Sequence, residues 1–344
     1  MNPKKIILTR TVPMDKFKKI LKHVKTLYPK DELVLLLQKG VANSGEVPGN
    51  HRFLEVPDGM LKYHGLTPGF IKKLREEKFD IFIITAKVLY APGYEELITL
   101  ARSTDAADIF LISSYLGLRT LRSGGVDIKL DEKEIVKLSS LDVKTRFAYA
   151  KYYDNVENSI NHQWQTMIYP LIKNHDFSRV LELAPGHGRN TNKLKDLADE
   201  ILLVDANKSC IDICKERFKN YNGPCRLSYY VNDGQSLAQI EDDSVSFIYS
   251  WDSMVHFDKL LMLEYIKEFY RVLRPGGFGF VHHSNFGTLS PQANFSIGVN
   301  PHGRSNMSKV RFMEYCHDVG LTVVRQEIID WGIKELDCLS LFKK

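Results

Sequence analysis

The sequence predicts an α/β protein of two domains, the second of which holds a seven-stranded sheet that ends in a hairpin-like pair of strands. Three observations predict this: the length of 344 residues, short apolar runs that alternate with helical patterns, and a glycine turn directly after the apolar run Val180–Leu183. Single domains typically have roughly 100 to 200 residues, so this length suits two cores. We predict a first α/β domain over 1–125, a helical linker and lid over 126–175, and a second domain over 176–344.

The composition is typical of a soluble globular protein. Hydrophobic residues make up 44% and charged residues 26%, which argues against a disordered chain. The net charge of +5 comes from scattered residues without a basic tract, so nucleic-acid binding is not indicated. No apolar stretch reaches the roughly 18 to 20 residues of a membrane span, and the first apolar run is too short for a signal peptide. Five cysteines, an odd number without metal-ligand spacing, favour a cytoplasmic location.

In the first domain, strand and helix patterns alternate along the chain. Predicted strands are Lys5–Leu8, Leu33–Leu37, Ile81–Thr85 and Ile109–Ser113, and predicted helices are Met14–Leu27, Pro68–Glu77 and Tyr94–Ser103. The alternation is similar to the acceptor half of two-lobed glycosyltransferases, although no glycine loop or motif specifies a ligand. We predict a module for homo-oligomerisation or acceptor positioning. Its candidates for binding an anionic acceptor, with a solvated basic face as the alternative, are His51, Arg52, His64, Arg119 and Arg122.

The linker ends in a helical segment rich in aromatic residues, Leu141–Asn174, which is predicted to cover the second domain's ligand site. Aromatic residues at helical spacing are usually core residues. A ring that faced the site could instead stabilise a bound cation, and Tyr153 and Trp164 are the candidates for this contact.

The turn after Val180–Leu183 is predicted to bind a ligand. It reads Pro-Gly-His-Gly and precedes a helical pattern over 189–198, which gives a strand, a tight turn and a helix. Gly186 and Gly188 lack a Cβ, so their backbone can approach a ligand, and the helix directs its free N–H groups toward the same space. The next predicted strand ends at Asp205, whose carboxylate suits the two hydroxyls of a ribose. The sequence therefore predicts a nucleoside site.

Two details distinguish the nucleosides that could bind. Thr191 occupies the place of the third glycine of a dinucleotide-binding turn, and Glu182 would repel a pyrophosphate but could hold the ammonium of a methionine moiety. At these residues the chain resembles the class I S-adenosylmethionine-dependent methyltransferases, whose first motif is acid-x-Gly-x-Gly-x-Gly, with Ala184 in place of the first glycine. The resemblance covers roughly 161–342 and implies a Rossmann-like methyltransferase sheet with S-adenosylmethionine as cofactor. A tight turn in an unrelated α/β protein is the alternative.

The elements after this glycine turn extend the resemblance. Predicted strands at Arg226–Val231, Val245–Ser250, Phe278–His282, Leu321–Ile328 and Leu336–Phe342 bring the total to seven, with helices at Lys208–Phe218, Lys259–Leu273 and Lys309–Val319. The helix Lys259–Leu273 is predicted to end at Arg274-Pro-Gly-Gly277, a sequence that is frequent at this place in the family. In the family, a residue at the end of the third strand lies beside the adenine, which makes Asp233 a candidate; an Asp-Gly turn is the alternative. The predicted cofactor-binding residues are Glu182, Ala184, Pro185, Gly186, Gly188, Asn190, Asp205, Ala206, Asp233, Gly234, Ser250 and Trp251.

The implied reaction is in-line transfer of a methyl group to a hydroxyl oxygen, which requires correct placement and a base for the hydroxyl proton. His256 is the first candidate for the base. His283 and His282 follow it, and only one of these two is expected to face the acceptor because alternate residues of a strand point to opposite faces. Asp252 could orient a histidine or act directly, and each histidine could equally be structural. A magnesium-assisted version has no supporting ligand spacing, so no metal is predicted.

The acceptor is the least specified part of the prediction. The motif of enzymes that methylate amino groups of DNA bases is absent. His282-His-Ser-Asn285, followed by Asn300-Pro-His-Gly-Arg304, resembles methyltransferases found with surface-polysaccharide and sugar-modifying genes. This implies O-methylation of a small-molecule or glycan acceptor, for which the predicted binding residues are Trp164, Asn285, His302 and Arg304. An RNA- or protein-directed methyltransferase and a non-catalytic S-adenosylmethionine-binding module are the alternatives.

Overall fold

The computed structural model divides the chain into two compact units. It describes residues 3–38, 40–41, 46–49, 51–56, 66–86, 94–114, 116–129, 131–146, 153, 156–289 and 304–344. The first unit lies within Met1–Asp131, and the second within Glu132–Ala293 and Arg304–Lys344. The division falls a few residues after Gly125, where the sequence analysis placed the end of the first domain.

The first unit contains a sheet of seven described strands with helices between them. The strands are β1 Lys5–Thr9, β2 Glu32–Gln38, β3 Arg52–Val56, β4 Ile81–Ala86, β5 Asp108–Ser113, β6 Leu118–Ser123 and β7 Val126–Asp127, and the helices are α1 Met14–Leu27, α2 Pro68–Glu76 and α3 Glu95–Ser103. The order is β3-β2-β1-β4-β5-β6-β7, parallel from β3 to β5 and antiparallel at β6 and β7. The predicted α/β class is confirmed.

The sequence analysis did not predict β3, β6 and β7. The predicted strands of this unit are apolar because both faces of a parallel sheet are covered: every residue of β4 is buried, as are Ile6, Ile7 and Leu8 of β1. By contrast, β6 has the sequence LRTLRS and is largely half-buried or exposed. A polar strand at one side of a sheet carries no continuous apolar run by which a sequence could reveal it.

The second unit also holds seven described strands. They are β8 Val180–Leu183, β9 Glu200–Asp205, β10 Arg226–Val231, β11 Val245–Ser250, β12 Leu273–Ser284, β13 Thr322–Ile329 and β14 Asp337–Lys343. Their order is β10-β9-β8-β11-β12-β14-β13, and the sheet is parallel except that β14 runs antiparallel to both β12 and β13. The predicted seven strands and the final hairpin-like pair are confirmed. The order reverses between β8 and β11, so a crevice is expected at the carboxyl ends of these two strands.

Helices connect the strands of the second unit. They are α4 Glu132–Arg146, α5 Ile160–Gln163, α6 Tyr169–Ile172, α7 Thr191–Leu194, α8 Lys208–Arg217, α9 Lys259–Val272, α10 Phe286–Leu289 and α11 Lys309–Val319, with a 3-10 turn at Met254–His256. A π-helical segment, Trp164–Ile168, joins α5 to α6. Pro170 has no N–H to continue the α-helical ladder, and the N–H of Tyr169 bonds instead to the carbonyl of Trp164, five residues back.

Two predicted elements differ in extent from those observed. The helix predicted over 189–198 is regular only at α7, because turns occupy the residues on both sides of it. The helix before Arg274–Gly277 ends at Val272, as the predicted stop requires, but the residues of the stop belong to β12. The N–H of Gly276 donates to the carbonyl of Lys344, and the N–H of Lys344 donates to that of Gly277, so the backbone there already pairs as part of the sheet.

The sheet of the second unit has an apolar cluster on each face. One cluster contains Val281, Phe312 and Phe342, and the other contains Trp164, Trp251 and Phe280. Because side chains alternate along β12, neighbouring residues of this strand point into different clusters. This alternation separates His282 from His283 and determines which of them lies near Trp251.

Candidate active site

The glycine bend after β8 has a backbone that few residue types tolerate. The φ angles are +56° at Ala184, +58° at Gly186 and +79° at Gly188. A Cβ on Gly186 would lie 2.4 Å from Cε1 of Tyr153, and one on Gly188 would lie 2.7 Å from Cε2 of Phe218. Glycine at both positions therefore permits the conformation and the close packing of the neighbouring rings.

A cleft of about 780 Å³, its open mouth included, lies at this bend. Of the residues singled out from the sequence, the structure brings together Tyr153, Ala184, Pro185, Gly186, Asn190, Asp205, Ala206, Gly234, Trp251 and Asp252 in its walls. The cleft residues that the sequence analysis missed are Ser140, Val143, Lys144, Leu183, Arg189, Asn207, Ser253, Phe257 and Tyr265.

Asp205, at the end of β9, places a carboxylate in the wall of the cleft. Its Oδ1 accepts a hydrogen bond of 2.8 Å from the N–H of Asn207, and its Oδ2 accepts one of 3.3 Å from the N–H of Gly186. Burial raises the pKa of Asp205 to about 6, although these two N–H groups act in the opposite direction. The carboxylate thus ties the end of β9 to the glycine bend and keeps lone pairs for a ligand.

Glu182 does not line the cleft, contrary to its predicted contact with a methionine ammonium. The side chain is 1% exposed, and its Oε2 accepts a hydrogen bond of 2.5 Å from the hydroxyl of Thr191. Burial raises the pKa of Glu182 to about 7. Thr191, which replaces the third glycine of a dinucleotide turn, therefore holds the carboxyl behind the bend.

Asp233 also lies outside the cleft wall. Its Oδ1 accepts from the N–H groups of Gln235 and Ser236 at 2.8 and 2.7 Å, so the carboxylate closes an Asp-Gly turn, the alternative that the sequence left open. Gly234 does line the cleft. A Cβ there would lie 2.4 Å from Oγ of Ser140, so this glycine allows α4 to approach closely.

Two other predicted cofactor residues support the cleft without lining it. The hydroxyl of Ser250 is buried and donates to the carbonyl of Leu183 at 3.0 Å, which joins the ends of β11 and β8. Gly188 packs against Phe218 at the back of the bend. By contrast, Asn190 faces the cleft, and its Oδ1 accepts from the hydroxyl of Tyr249 at 3.0 Å.

Arg189 and Asp252 form an ion pair in the cleft wall. Nη2 of Arg189 donates to Oδ2 of Asp252 at 3.0 Å, and Nη1 donates to the carbonyl of Val156 at 3.0 Å. Both side chains of the pair are less than one-tenth exposed. The pair joins the start of the helical region after the bend to the residues after β11. Arg189 directly follows Gly188, and this position was the sequence signal that could have identified it.

The three candidate histidines occupy different environments. His256 is 4% exposed and lies in the 3-10 turn between Ser253 and Phe257, which both line the cleft. His282 is fully buried beside Trp251, with ring centroids 4.6 Å apart. His283 points to the opposite face and stacks on Phe312.

The environment of His283 does not suit a base. Its Nδ1 lies 2.9 Å from the carbonyl of Ser284 and its Nε2 lies 2.8 Å from the hydroxyl of Ser340, so both ring nitrogens are engaged. Burial lowers the pKa of His283 to about 4.

The residues predicted to bind the acceptor are not gathered in the cleft. Trp164 is 9% exposed and belongs to an apolar cluster of the sheet. Asn285 is 1% exposed; its Nδ2 donates to the carbonyl of Glu335, and its Oδ1 accepts from the N–H of Lys309. Arg304 is 2% exposed and pairs with Asp337. His302 lies outside the described residues.

The basic residues singled out in the first unit are in part paired. Arg52 donates to Glu77 and Arg122 donates to Asp127, each at 2.8 Å. Burial lowers the pKa of His51 and that of Arg119. His64 lies outside the described residues.

The fold and the cleft together define the class of protein. A parallel sheet with one antiparallel strand, a glycine bend after β8 and a carboxylate after β9 form a Rossmann-like nucleoside-binding domain of the methyltransferase type. Residues 180–277 match the sequence model of the methyltransferase domain family. The second unit therefore contains a methyltransferase domain.

Several solved structures are similar to this chain, whereas no curated protein matches it. The PH0226 protein of Pyrococcus horikoshii OT3 is 20% identical, over 57% of this chain and 92% of that one, with a TM-score of 0.42. A SAM-dependent methyltransferase of Leishmania major is 14% identical, over 65% of this chain and 93% of that one, with a TM-score of 0.48. A geranyl diphosphate methyltransferase in complex with SAM is 13% identical, over 48% of this chain and 77% of that one, with a TM-score of 0.40.

The residues of the cleft fit S-adenosylmethionine. Gly186 places bare backbone and the closely packed ring of Tyr153 in the cleft wall. Asp205 offers carboxylate oxygens that suit ribose hydroxyls, and Arg189 offers a cation that suits the methionine carboxylate. The cofactor is thus S-adenosylmethionine. Across the described ranges, no group of three or more His, Cys, Asp or Glu side chains is placed to hold a metal ion. Among the helices in the described part of the chain, none is both long and apolar enough to cross a membrane.

Proposed function

We propose that the chain transfers the methyl group to a hydroxyl of a sugar or polysaccharide. The observation that carries this proposal is the position of His282, whose ring lies 4.6 Å from that of Trp251, a residue of the cleft wall. A hydroxyl is a weak nucleophile until its proton is removed, so O-methylation needs a general base. A histidine beside the cleft wall can supply one. The resemblance of His282–Asn285 and Asn300–Arg304 to sugar-modifying methyltransferases favours a sugar over other acceptors that carry a hydroxyl.

We further propose how the cleft holds the cofactor. Asp205 accepts from the ribose hydroxyls, because its carboxylate is the acidic group in the cleft wall at the end of β9. The adenine lies near Gly234 and Ser140, which both line the cleft where α4 packs closely on the glycine. Arg189 attracts the methionine carboxylate, and the ring of Tyr153 borders the bend.

When bound, S-adenosylmethionine supplies an activated methyl group. The protein contributes placement: Trp251, Asp252 and Ser253, after β11, border the space through which the acceptor approaches in line. The candidates for the base are His256 and His282. Asp252 is paired with Arg189, which favours a positioning role for its carboxylate.

Mass spectrometry tests the proposed acceptor class. The purified chain is incubated with S-adenosylmethionine and a panel of monosaccharides, nucleotide sugars and oligosaccharides, and we expect at least one to gain a single methylene unit. A panel of RNA and protein acceptors serves as the comparison. Transfer to RNA or protein without transfer to any sugar would reject the proposal.

Calorimetry tests the proposed cofactor contacts separately. We expect binding of S-adenosylmethionine in preference to NAD, and Asp205→Ala should weaken it by about 1 to 3 kcal/mol if the carboxylate holds the ribose. Asp212→Ala, an exposed aspartate on α8 that pairs with Lys208, is the control and should bind normally. Equal affinity in the two variants would remove Asp205 from the site.

We also propose that the first unit acts as an oligomerisation or acceptor-positioning module of a cytoplasmic enzyme. Leu118 and Val126 of the β6–β7 hairpin are 49% and 69% exposed, which favours a contact surface there, and the five cysteines are free thiols, as a reducing compartment would keep them. Light scattering of the wild type and of Leu118→Asp tests the first part. A monomeric wild type would leave acceptor positioning as the role of this unit.

A further inference from the structure

His282 lies beside the cleft but outside its wall. In the register of β11 and β12, Ser250 is opposite Val281, so Trp251 and His282 are the next residues at the carboxyl ends of adjacent parallel strands. His282 also contacts Trp331, with ring centroids 5.1 Å apart, and the two indoles meet edge to face with centroids 6.2 Å apart. Trp331 is half-buried and lies in the turn between β13 and β14. The imidazole thus packs against an indole of the cleft wall and a second indole that reaches the surface, and the three rings form one cluster.

A buried carboxylate fixes the orientation of this ring. Nε2 of His282 lies 3.1 Å from Oδ2 of Asp337, at the start of β14. Nε of Arg304 donates to Oδ1 of the same carboxylate at 2.9 Å, and Nη2 of Arg304 donates to Oδ2. Burial acts to raise the pKa of Asp337, but the contacts with His282 and Arg304 outweigh it and lower the pKa. An ionised carboxylate can only accept, so Nε2 of His282 carries the proton of a neutral ring.

The other ring nitrogen, Nδ1, then carries no proton and has a lone pair that can accept one. Nδ1 of His282 is buried and has no hydrogen-bond partner among the residues that the structure describes. A buried acceptor without a partner costs free energy and calls for an explanation. His283, on the opposite face, has both ring nitrogens engaged, so the open nitrogen is not a general feature of this strand.

We propose that Nδ1 of His282 is the base that takes the proton of the acceptor hydroxyl, and that Asp337 and Arg304 are positioning residues that hold the ring in the required tautomer. This inference rests on the proposed O-methylation. The acceptor enters through the space bordered by Trp251, whose ring contacts that of His282. As the oxygen–methyl bond forms, the O–H bond breaks and its proton passes to Nδ1. The electron pair of the broken methyl–sulfur bond stays on sulfur, and S-adenosylhomocysteine leaves. The resulting imidazolium is stabilised by the carboxylate of Asp337.

The activity test compares two acceptors that differ in acidity. One is the sugar that the panel identifies, and the other is its analogue with a thiol in place of the accepted hydroxyl. A thiol ionises near pH 8.5 and needs a base much less than a hydroxyl does. We expect His282→Gln to lower kcat by about 10² to 10⁴-fold with the hydroxyl and by less than about tenfold with the thiol, since general base catalysis contributes this much.

Two measurements separate a base from a structural residue. His283→Gln is the matched control, because it changes an equally buried histidine of the same strand. Its kcat should fall by less than about tenfold with either acceptor. Calorimetry should show that His282→Gln binds S-adenosylmethionine as the wild type does. An equal loss of kcat with the hydroxyl and the thiol would indicate a structural role and overturn the proposal.

The positioning role has a spectroscopic test that does not depend on any acceptor. Nitrogen-15 spectra of histidine-labelled protein should show His282 with a protonated Nε2 and an unprotonated Nδ1 at neutral pH, and Asp337→Asn should alter this tautomer and lower kcat more than it raises KM. A protonated Nδ1 in the wild type would overturn the proposal. Failure of the wild type to methylate any sugar would reject the proposed function and this inference with it, whereas normal wild-type transfer with a fully active His282→Gln would reject this inference alone.

Discussion

Nη2 of Arg189 lies 3.0 Å from Oδ2 of Asp252 in the cleft wall, where both side chains are less than one-tenth exposed. Removing one partner of a buried pair leaves the other charge without compensation, which typically costs about 3 to 5 kcal/mol. We predict a loss of about this size in the free energy of unfolding for Asp252→Leu. Urea denaturation followed by circular dichroism measures it.

A double-variant cycle provides the control. Because Arg189→Met with Asp252→Leu removes both charges, the double variant should recover a large part of the stability lost in either single variant. Asp212→Leu breaks the exposed pair with Lys208 on α8 and should change the free energy of unfolding by less than about 1 kcal/mol. Additive losses in the cycle would show that the two side chains do not act as a pair.

Gly186→Ala should weaken the binding of S-adenosylmethionine more than tenfold. The new Cβ would lie 2.4 Å from Cε1 of Tyr153, so a ring that borders the cleft must move. Gly276→Ala is the matched control, because Gly276 also has a positive φ, of +79°, but its Cβ would meet nothing within 4 Å. Both variants should lose about 1 to 2 kcal/mol of stability from backbone strain. Calorimetry should find weakened binding in Gly186→Ala alone, and equal affinities would contradict the prediction.

The fold could be predicted from the sequence wherever a strand is covered on both faces. β8 and β11 have the bounds that the sequence indicated, because a buried parallel strand is a short, continuous run of apolar residues flanked by polar turns. β6 has no such run, and its arginines gave no indication of a strand. The stretch at Arg274–Gly277 was interpreted from its turn residues alone, whereas pairing with Lys344, far along the chain, makes it part of β12.

Ala184→Gly should raise the free energy of unfolding by about 1 kcal/mol. Ala184 has a φ of +56°, a conformation that costs a residue with a Cβ about 1 to 2 kcal/mol, and part of the gain is offset by the greater backbone freedom of glycine in the unfolded chain. Urea denaturation measures the change. Ala198→Gly, at a position without positive φ, is the control and should destabilise the protein. A loss of stability in both variants would mean that the bend is not strained at Ala184.

The candidate site was predictable where a backbone position alone defines a residue's role. Gly186, Asp205 and Gly234 follow strand ends and were found for that reason. The direction of a side chain depends on donors that are placed only by the fold: Thr191 holds Glu182 behind the bend.

The same limit applies to the far side of the cleft and to the proposed base. Ser140 and Lys144 enter the cleft from α4, and Asp337 reaches His282 from another strand, so no spacing in the sequence linked them to the bend.

Glu182→Gln should make the protein relatively more stable as the pH rises. Burial raises the pKa of Glu182 from 4.5 to about 7, so between these values the folded chain keeps a proton that the unfolded chain has lost. The contribution of this carboxyl to the free energy of unfolding therefore falls as the pH rises from about 4.5 to about 7. Glutamine does not titrate, and its carboxamide oxygen can still accept from Thr191.

The free energy of unfolding of Glu182→Gln minus that of the wild type should increase by on the order of 2 to 3 kcal/mol between pH 5 and pH 8, since one unit of pKa corresponds to about 1.4 kcal/mol. Urea denaturation at closely spaced pH values measures this difference. Thr191→Val is the companion variant: the Thr191 hydroxyl favours the ionised form of Glu182, so its removal should move the transition to higher pH. A difference that stays constant from pH 5 to pH 8 would show that Glu182 is already ionised in the folded chain, and the buried carboxyl behind the bend would then need a further positive partner.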